Sequence, residues 1–202
     1  MIVACIITYN DYPLIKNCIE SLRSKVGRII CIDGRYTDFP EVDNVYSTDG
    51  TLEYLNSIEA VNLHYFKGSE VDKRNFYLMQ LNDGDIVLNL DADEVLVGKI
   101  PELKTDFGII DLHDGCSKHI QQRATRLFKY REGIEYRYCH YTLYYKDEII
   151  NKLQKVINPG FTFENITDFY IRHDWHLRPD ERKYYKEQYY KTLIQKEAGF
   201  NK

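Results

Sequence analysis

The alternation of short apolar runs with amphipathic stretches over the first 95 residues is the feature that most constrains the fold. The β-branched run at 2–7 predicts a buried strand, and residues 12–25 place apolar side chains at helical spacing behind a proline. The unit recurs, with helices at 51–60 and 71–81 between strands at 28–32, 62–66 and 86–90. Strands alternating with helices predict right-handed βαβ units and an α/β fold with a mostly parallel sheet.

Polar residues directly follow three of these predicted strands. They are Thr8, Tyr9, Asn10 and Asp11 after the first, Asp33 and Gly34 after the second, and Asp91 and Asp93 after the last. Because parallel sheets bind ligands at the carboxyl ends of their strands, we expect these groups to meet at one edge. This convergence favours a functional site over an ordinary acidic turn at Asp91 and Asp93.

The pattern changes in the second half of the chain. Residues 123–148 alternate more loosely around a Glu-Gly turn, which predicts an antiparallel hairpin, and residues 161–173 have further strand propensity. A last helix is predicted to begin near Pro179. We expect one domain over residues 1–202, with a βα half at 1–98, a mixed half at 99–178 and a C-terminal helix at 179–202.

Composition excludes several classes of protein. The net charge is −4 with acidic and basic residues interspersed, which argues against a nucleic-acid partner. The five cysteines are odd in number and lack a CxxC spacing, which is typical of reduced thiols and argues against a structural zinc. The N-terminus has neither a basic n-region nor a long apolar run, so we expect a soluble, cytoplasmic protein.

The last helix carries a group of tyrosines. They are Tyr184, Tyr185, Tyr189 and Tyr190. A packed amphipathic helix is favoured for this group. The alternatives left open are an aromatic face for a membrane-bound or glycan acceptor and a homodimer contact.

The segment "LNLDADEVL" at 88–96 carries the most specific chemistry. Two carboxylates one residue apart at a strand's end, Asp91 and Asp93, can place oxygens on Mg²⁺ or Mn²⁺, which also binds phosphate oxygens. Such an ion stabilises the negative charge that builds on a departing diphosphate. A sugar nucleotide is a substrate that needs this stabilisation.

A resemblance supports this interpretation over about the first 98 residues. The ordered segments that carry it are "IITYND", Asp33, "STDGTLEYLN" (47–56), "DKRN" (72–75) and "LNLDADEVL". Together they resemble glycosyltransferases of the GT-A fold, similar to family 2. The resemblance implies a Rossmann-like, mostly parallel sheet flanked by helices, with a smaller antiparallel hairpin region in the C-terminal half. It further implies metal-dependent transfer of a sugar from a nucleotide-diphosphate donor, a UDP-sugar being favoured, to a glycan, lipid or protein hydroxyl with inversion.

The same resemblance assigns roles to individual residues. It implies a nucleotide site formed by Thr8, Tyr9, Asn10, Asp33, Arg74 and Asp91, with Lys73 beside it. It implies a Mn²⁺ or Mg²⁺ site formed by Asp91, Asp93 and His173, with His176 as the second choice of histidine. For Lys73 and Arg74 the alternative left open is that they are solvent-facing helix charges.

The chain departs from the family pattern in two places. Asp33-Gly34 and the segment 47–51 are separated, so Asp33 is preferred over Asp38 and Asp49, and Asp49 could equally cap the helix near Thr51. The usual "HE" glutamate is replaced by His140-Tyr141. Catalytic-base candidates are therefore Asp147 and Glu148, at the predicted start of a helix, with Asp114 and Asp174 as further choices.

Two other functions remain open at this point. The segment at 88–96 also resembles the motif of haloacid-dehalogenase-like phosphatases, in which Asp91 would be the nucleophile and Asp93 the general acid. Some 85 residues of βα units precede it here, whereas that motif ordinarily lies near the start of its domain. The missing glutamate and the short C-terminal half leave a third function, a silent module that binds a nucleotide sugar or glycan without turnover.

Overall fold

A computed structural model describes residues 1–37, 44–117, 119–138, 142–152 and 155–200. Its strands are β1 (Ile2–Thr8), β2 (Arg28–Asp33), β3 (Val61–Tyr65), β4 (Ile86–Asp91), β5 (Glu94–Gly98), β6 (Phe107–Asp114), β7 (Ile120–Lys129), β8 (Ile134–Tyr138), β9 (Thr142–Tyr145), β10 (Glu148–Ile149), β11 (Asn151–Lys152), β12 (Lys155–Val156) and β13 (Phe163–His173). Its helices are α1 (Leu14–Leu22), α2 (Thr51–Asn56), α3 (Glu70–Leu78) and α4 (Asp180–Phe200), with a 3₁₀ turn at Trp175–Leu177 before α4.

The main sheet has eight strands in the order β3-β2-β1-β4-β7-β6-β13-β5. The pairings β3-β2, β2-β1, β1-β4 and β6-β13 are parallel, and the other three are antiparallel. A separate antiparallel sheet has the order β10-β9-β8, and β11 pairs with β12. The predicted α/β class with a mostly parallel sheet and a smaller antiparallel region is confirmed.

The strand order reverses at β1, which places a topological switch point between β1 and β4. From β1 the chain adds β2 and β3 on one side and then returns to add β4 on the other. The register aligns Thr8 with Asp33 across β1 and β2, and Ile7 with Asp91 across β1 and β4. The three carboxyl ends therefore meet at one edge, which is where open α/β sheets bind ligands.

Apolar residues cover both faces of the sheet. On one face α1 buries Ile15, Cys18 and Leu22 against β1, β2 and β4. On the other face Tyr77 of α3 and Tyr136 of β8 join a second buried cluster. Burying a side chain of this size stabilises the fold by roughly 1.5–3 kcal/mol, so the two clusters stabilise the sheet on both faces.

The cysteines agree with the expectation of reduced core thiols where the structure describes them. Cys5, Cys18 and Cys31 are buried and free, and Cys116 is free and exposed. Burial raises the pKa of the Cys18 thiol well above its ordinary value, which keeps it protonated and unreactive. Cys139 lies outside the described residues.

Helix α3 begins at a capping box and carries charged side chains inward. The Ser69 hydroxyl accepts from the Asp72 backbone N–H, and the Asp72 carboxylate accepts from the Ser69 N–H. This reciprocal pair satisfies two N–H groups at the helix start. Glu70, Lys73 and Arg74 are nevertheless buried. The alternative that Lys73 and Arg74 are solvent-facing helix charges is therefore wrong.

The second half differs from its prediction in detail. The Glu132-Gly133 turn connects β7 to β8, but these strands lie in different sheets, so the expected hairpin about that turn is wrong. Strand β7 instead pairs with β4 and β6, and β8 pairs with β9. The predicted last helix is present as α4. Among the described residues, no helix has both the length and the apolar character that a membrane span requires.

Candidate functional site

The loop after β1 is folded around the carboxylate of Asp11. The Thr8 hydroxyl and the Tyr9 backbone N–H each donate to Asp11 Oδ2 over 3.1 Å. The Asp11 N–H donates to Thr51 Oγ1 over 3.1 Å, which ties this loop to the start of α2. Thr8 and Tyr9, predicted as nucleotide contacts, are therefore held in one conformation at the carboxyl end of β1.

Asp33 anchors the segment that approaches from residues 44–50. It is fully buried and accepts hydrogen bonds from the Ser47 backbone N–H at 3.0 Å and from the Ser47 hydroxyl. Asn10 joins the same arrangement, because its N–H donates to Ser47 Oγ over 2.7 Å and its Oδ1 accepts from the Thr48 N–H over 2.8 Å. Burial raises the pKa of Asp33, and the hydrogen bonds from Ser47 oppose that rise. Both Asp33 oxygens thus hold the loop.

Asp49 acts on the loop and on the start of α2. Its Oδ1 accepts from the Thr51 N–H over 3.1 Å, and its Oδ2 accepts from the Tyr12 N–H over 2.9 Å. The N-cap of α2 is Gly50, so Asp49 binds the first N–H of the helix from one residue before the N-cap position. Asp38 lies outside the described residues.

Lys73 joins the carboxyl ends of β1 and β2 from beneath. Its Nζ donates to the carbonyl oxygens of Thr8 at 2.9 Å and Gly34 at 2.6 Å. Burial lowers the pKa of this ammonium to about 7, although the Asp33 carboxylate opposes the shift. Lys73 therefore supports the backbone of the two strand ends.

Arg74 reaches the acid pair. Its Nε donates to Glu70 at 3.0 Å, its Nη1 to Asn89 Oδ1 at 2.8 Å and its Nη2 to Asp91 Oδ1 at 2.8 Å. The side chain is 2% exposed, so these bonds form in a low-dielectric setting where they are strong. Arg74, a predicted nucleotide residue, thus lies directly beside Asp91.

Glu94, which was not predicted as a site residue, closes the turn between β4 and β5. Its Oε2 accepts from the Asp91 N–H over 2.7 Å, and its Oε1 pairs with the buried guanidinium of Arg126. Burial would raise the pKa of Asp91, but the Arg74 and Arg126 guanidinium groups outweigh it and hold the pKa below its ordinary value. The "DADE" spelling was the available sequence signal for Glu94.

Asp93 and His173 lie in contact, as the sequence predicts. His173 Nε2 is 3.4 Å from Asp93 Oδ2, and the same oxygen accepts from Arg178 Nε at 2.7 Å. The Asp174 N–H donates to the Asp93 carbonyl at 2.8 Å and fixes the turn against the end of β13. Burial would raise the pKa of Asp93, but Lys186 and Arg178 hold it well below its ordinary value.

Basic residues at four-residue spacing cover this edge from α4 and from the residues just before it. The Arg178 guanidinium that contacts Asp93 also pairs with Asp11 Oδ1, and Arg182 donates to the Tyr9 carbonyl oxygen. Lys186 follows one turn later and contributes positive charge near the acid pair. Nothing in the sequence motifs predicted this row, and the recurrence of basic residues at 178, 182 and 186 was the signal for it.

An open cleft of about 450 Å³ lies beside the acid pair. Its ionisable lining includes Asp91, Asp93, Glu94, Arg126, His173, Arg178 and Lys186, and its remaining wall includes Gln121, Gln122, Trp175 and Tyr190. Amides and aromatic side chains are suited to polar ring compounds, and the cations are suited to anions. The cleft can therefore accept a polar group that carries negative charge.

The arrangement does not fit a divalent cation in this conformation. Asp91, Asp93 and His173 come together, but no three His, Cys, Asp or Glu side chains in the described ranges form a metal-binding group. One oxygen of Asp91 is taken by Arg74, and one of Asp93 by Arg178. Asp93 Oδ1 is buried and accepts no hydrogen bond from the described part of the chain. Guanidinium groups thus neutralise the pair, and the Mn²⁺ or Mg²⁺ site stays a prediction.

The predicted catalytic bases Asp147 and Glu148 lie in the small sheet. The expected helix start is wrong there, because Asp147 adopts a φ of 68° in the turn between β9 and β10. Its 87% exposed carboxylate pairs with Arg137, and Glu148 accepts from Asn158 at 3.1 Å. Neither residue lines the cleft beside Asp91 and Asp93. Residues 140–141 lie outside the described part of the chain.

The further base candidates and His176 lie together around a second cavity, of about 470 Å³. Asp114 Oδ2 accepts from the Trp175 indole N–H at 3.3 Å, and Asp174 forms a two-bond ion pair with Arg172 at 2.8 Å. These carboxylates are engaged in fixing the chain around the 3₁₀ turn. The structure therefore places His173, and not His176, at the acid pair.

Comparison with known proteins shows that the chain is similar to several solved structures. The chain matches no known protein family and no curated protein. Similar solved structures include S. aureus TarS, with 19% identity and a TM-score of 0.46, and TarS 1-349, with the same two values. TarS 1-349 in complex with UDP-GlcNAc is 20% identical, with a TM-score of 0.44. Each match covers 60% of this chain but only 23%, 38% and 37% of the respective TarS chains. Likeness at this level assigns no activity to the chain.

Proposed function

We propose that the protein transfers a sugar from a nucleotide-diphosphate donor, with a UDP-sugar favoured, to an acceptor hydroxyl with inversion. The observation that carries the proposal is the meeting of Thr8, Asp33 and Asp91 at the carboxyl ends of three parallel strands beside a switch point. Open α/β sheets bind nucleotides at such points. The resemblance of the sequence to GT-A glycosyltransferases supports the same proposal, because it implies a nucleotide site at these strand ends.

The roles proposed for the residues follow from their places at this edge. Tyr9 and Asn10 lie on the side of β1 and β2, away from the cleft, which suits contact with the base and ribose. Asp33 is buried there and holds the Ser47 loop with both oxygens, so its direct contact with a nucleotide stays a prediction from the sequence. Arg74 and Arg178 lie at the acid pair, where they could neutralise a diphosphate. Cations that are already oriented stabilise charge developing on a leaving group without reorganisation at the moment of reaction.

The cleft beside the acid pair suits the sugar and the acceptor. Inversion requires a base to take the proton of the acceptor hydroxyl during in-line attack at the anomeric carbon. Asp147 and Glu148 stay the sequence-based candidates for that base. Metal dependence is likewise a prediction from the sequence.

The test measures donor turnover with a panel of nucleotide sugars, with and without Mn²⁺. Asp91→Asn and Asp93→Asn should each lower turnover by roughly 100-fold or more, because Asp91 orients the Arg74 guanidinium and Asp93 orients that of Arg178 at the diphosphate position. Asp168→Asn is the matched control, since that residue is exposed in β13 and lies away from the cleft. Wild-type turnover in both site variants would overturn the proposal.

The same assay separates the two other functions. Release of phosphate from p-nitrophenyl phosphate, without turnover of any nucleotide sugar, would support the phosphatase function of Asp91. Nucleotide binding without transfer or hydrolysis across the acceptor panel would support the silent module.

A further inference from the structure

Helix α4 crosses the carboxyl edge of the sheet on the side where the nucleotide is proposed to bind. Arg178, just before the helix, pairs with Asp11 and Asp93, which belong to the loops after β1 and β4. In the first turn of the helix, Arg182 donates to the Tyr9 carbonyl and lies 5.1 Å from the centre of the Tyr9 ring. The helix is therefore fastened to the residues proposed to hold the base and ribose.

An aromatic contact fastens the next turns of the helix. Tyr189 is 1% exposed, and its ring stacks on that of Tyr36 with centroids 5.0 Å apart and planes at 27°. Tyr36 lies just beyond Gly34, at the carboxyl end of β2, where it also covers the buried ammonium of Lys73. Stacked aromatic pairs add to the stability that burial alone supplies. Tyr189 thus covers the β2 side of the edge.

The open cleft lies between α4 and the acid pair, whereas very little space remains between α4 and the part of the edge formed by β1 and β2. The cavity enclosed there measures about 20 Å³, with a lining that includes Tyr9, Asp11, Tyr36, Asp91, Arg178, Arg182 and Lys186. A water molecule needs about one probe sphere, roughly 10–15 Å³, whereas small-molecule sites measure roughly 300–1,000 Å³. The region proposed for the nucleoside is closed, although the neighbouring cleft at the acid pair is open.

We propose that α4 is an autoinhibitory strap that occupies the nucleoside site and must swing away before a nucleoside diphosphate can bind. The inference rests on the proposed function, because it takes the edge beside Tyr9 and Asp33 as the nucleoside site. The side chains of Arg182 and Tyr189 lie over Tyr9 and Tyr36, where the nucleoside would lie, whereas Arg178 precedes α4 and is proposed to stay at the acid pair. Strap and ligand therefore compete, and the apparent dissociation constant equals the intrinsic one divided by the fraction of molecules with the strap open.

The test compares two tyrosines of the same helix. Tyr189→Ser removes the stack on Tyr36 without changing any charge, whereas Tyr184→Ser alters a residue that is 59% exposed. Calorimetric titration with UDP should give a dissociation constant at least about tenfold lower for Tyr189→Ser than for wild type, because the open fraction rises. Tyr184→Ser should bind UDP as wild type does.

Hydrogen exchange of α4 provides the second measurement. Addition of UDP to the wild-type protein should speed exchange of the amides at 183–191, because the displaced helix loses its packing. The helix α3, which lies beneath the edge, should keep its protection. Because this measurement uses the wild-type protein, it reports movement of α4 even if Tyr189→Ser is less stable.

The outcomes distinguish the strap from the proposed function. UDP binding with α4 protected, and with equal affinity in wild type and Tyr189→Ser, would overturn the strap while leaving the proposed function intact. Rapid exchange of α4 in Tyr189→Ser without binding of UDP or any other nucleoside diphosphate would overturn both. Tighter UDP binding together with faster exchange of α4 supports the strap.

Discussion

Lys73 is the residue at which burial and charge conflict most sharply. Its ammonium is fully buried, and its partners at the strand ends are two carbonyl oxygens. Backbone carbonyls solvate an ammonium less well than water does, so burial disfavours the charged form. The folded-state pKa of about 7 lies below the ordinary value of 10.5. Folding and protonation of Lys73 are therefore coupled.

This coupling predicts a stability that rises with pH. Between pH 7 and 10.5 the unfolded chain binds the Lys73 proton more tightly than the folded one, so the free energy of unfolding increases with pH; below pH 7 both states are protonated and the contribution is constant. We expect the free energy of unfolding of wild type to gain about 2 kcal/mol between pH 7 and 9, relative to that of Lys73→Met. Urea denaturation of both proteins at several pH values measures the difference.

Lys16→Met is the control for this comparison, because Lys16 is exposed on α1. Its free energy of unfolding should follow that of wild type across the same pH range. A difference between wild type and Lys73→Met that stays constant from pH 6.5 to 9 would show that Lys73 keeps its proton in the folded state.

At the level of elements, the connection between β2 and the following loop depends on one glycine. Gly34 has a φ of 145°, and a Cβ there would lie 2.3 Å from the Phe66 carbonyl oxygen at the end of β3. Real Cβ atoms do not approach backbone this closely, so the neighbouring strand end would have to move. Such a shift would pass to Asp33 and to the Lys73 bond at the Gly34 carbonyl.

Gly34→Ala should therefore destabilise the protein by about 2–4 kcal/mol, through positive φ and the clash together. Gly84→Ala is the matched control: its φ is 84°, but a Cβ at this position would have no atom within 4 Å. We expect it to cost only about 1 kcal/mol, the strain of positive φ alone. Thermal or urea denaturation of the two variants compares them, and equal losses would contradict the role of the β3 contact.

The elements of the first half were predictable because each carries its own local pattern. Strands β1, β2 and β4 are continuous apolar runs, and α1 has a regular apolar stripe. Strand β7 has no such pattern: its first four residues are exposed, whereas the next five are buried between β4 and β6. Burial along β7 changes with the strands that flank it. Its sequence therefore shows neither an alternation of apolar and polar residues nor a continuous apolar run.

The part of the site that lies at predicted strand ends was predictable from the sequence. Asp33, Asp91 and Asp93 end predicted strands, and their convergence follows from the parallel sheet. The contacts of Arg178 with Asp11 and Asp93 span 167 and 85 residues, so no local pattern specifies them. Asp147 and Glu148 were placed on a predicted helix, but the segment before them forms β9, which pairs with β8 and β10.

At the scale of the whole molecule, the two halves share one sheet. Strand β4 of the first half pairs with β7 of the second, and β5 pairs with β13 some seventy residues later. Ion pairs from Arg178 add a second connection, between the carboxyl edge and the segment that leads into α4. Neither half can bury its sheet edge alone, so we expect the two halves to unfold cooperatively.

The single tryptophan allows this expectation to be tested. Trp175 lies in the second half, where its indole donates to Asp114 and faces the Lys183 ammonium, so its fluorescence reports the region beside α4. Far-UV circular dichroism reports the sheet and helices of both halves. We expect the two signals to give the same urea midpoint and the same slope, because a chain with one continuous sheet unfolds in a single transition.

Asp114→Asn provides the control: it weakens the indole contact locally and should change the fluorescence of the native state without separating the midpoints. A fluorescence midpoint well below that of circular dichroism would show that the C-terminal half unfolds while the βα half persists.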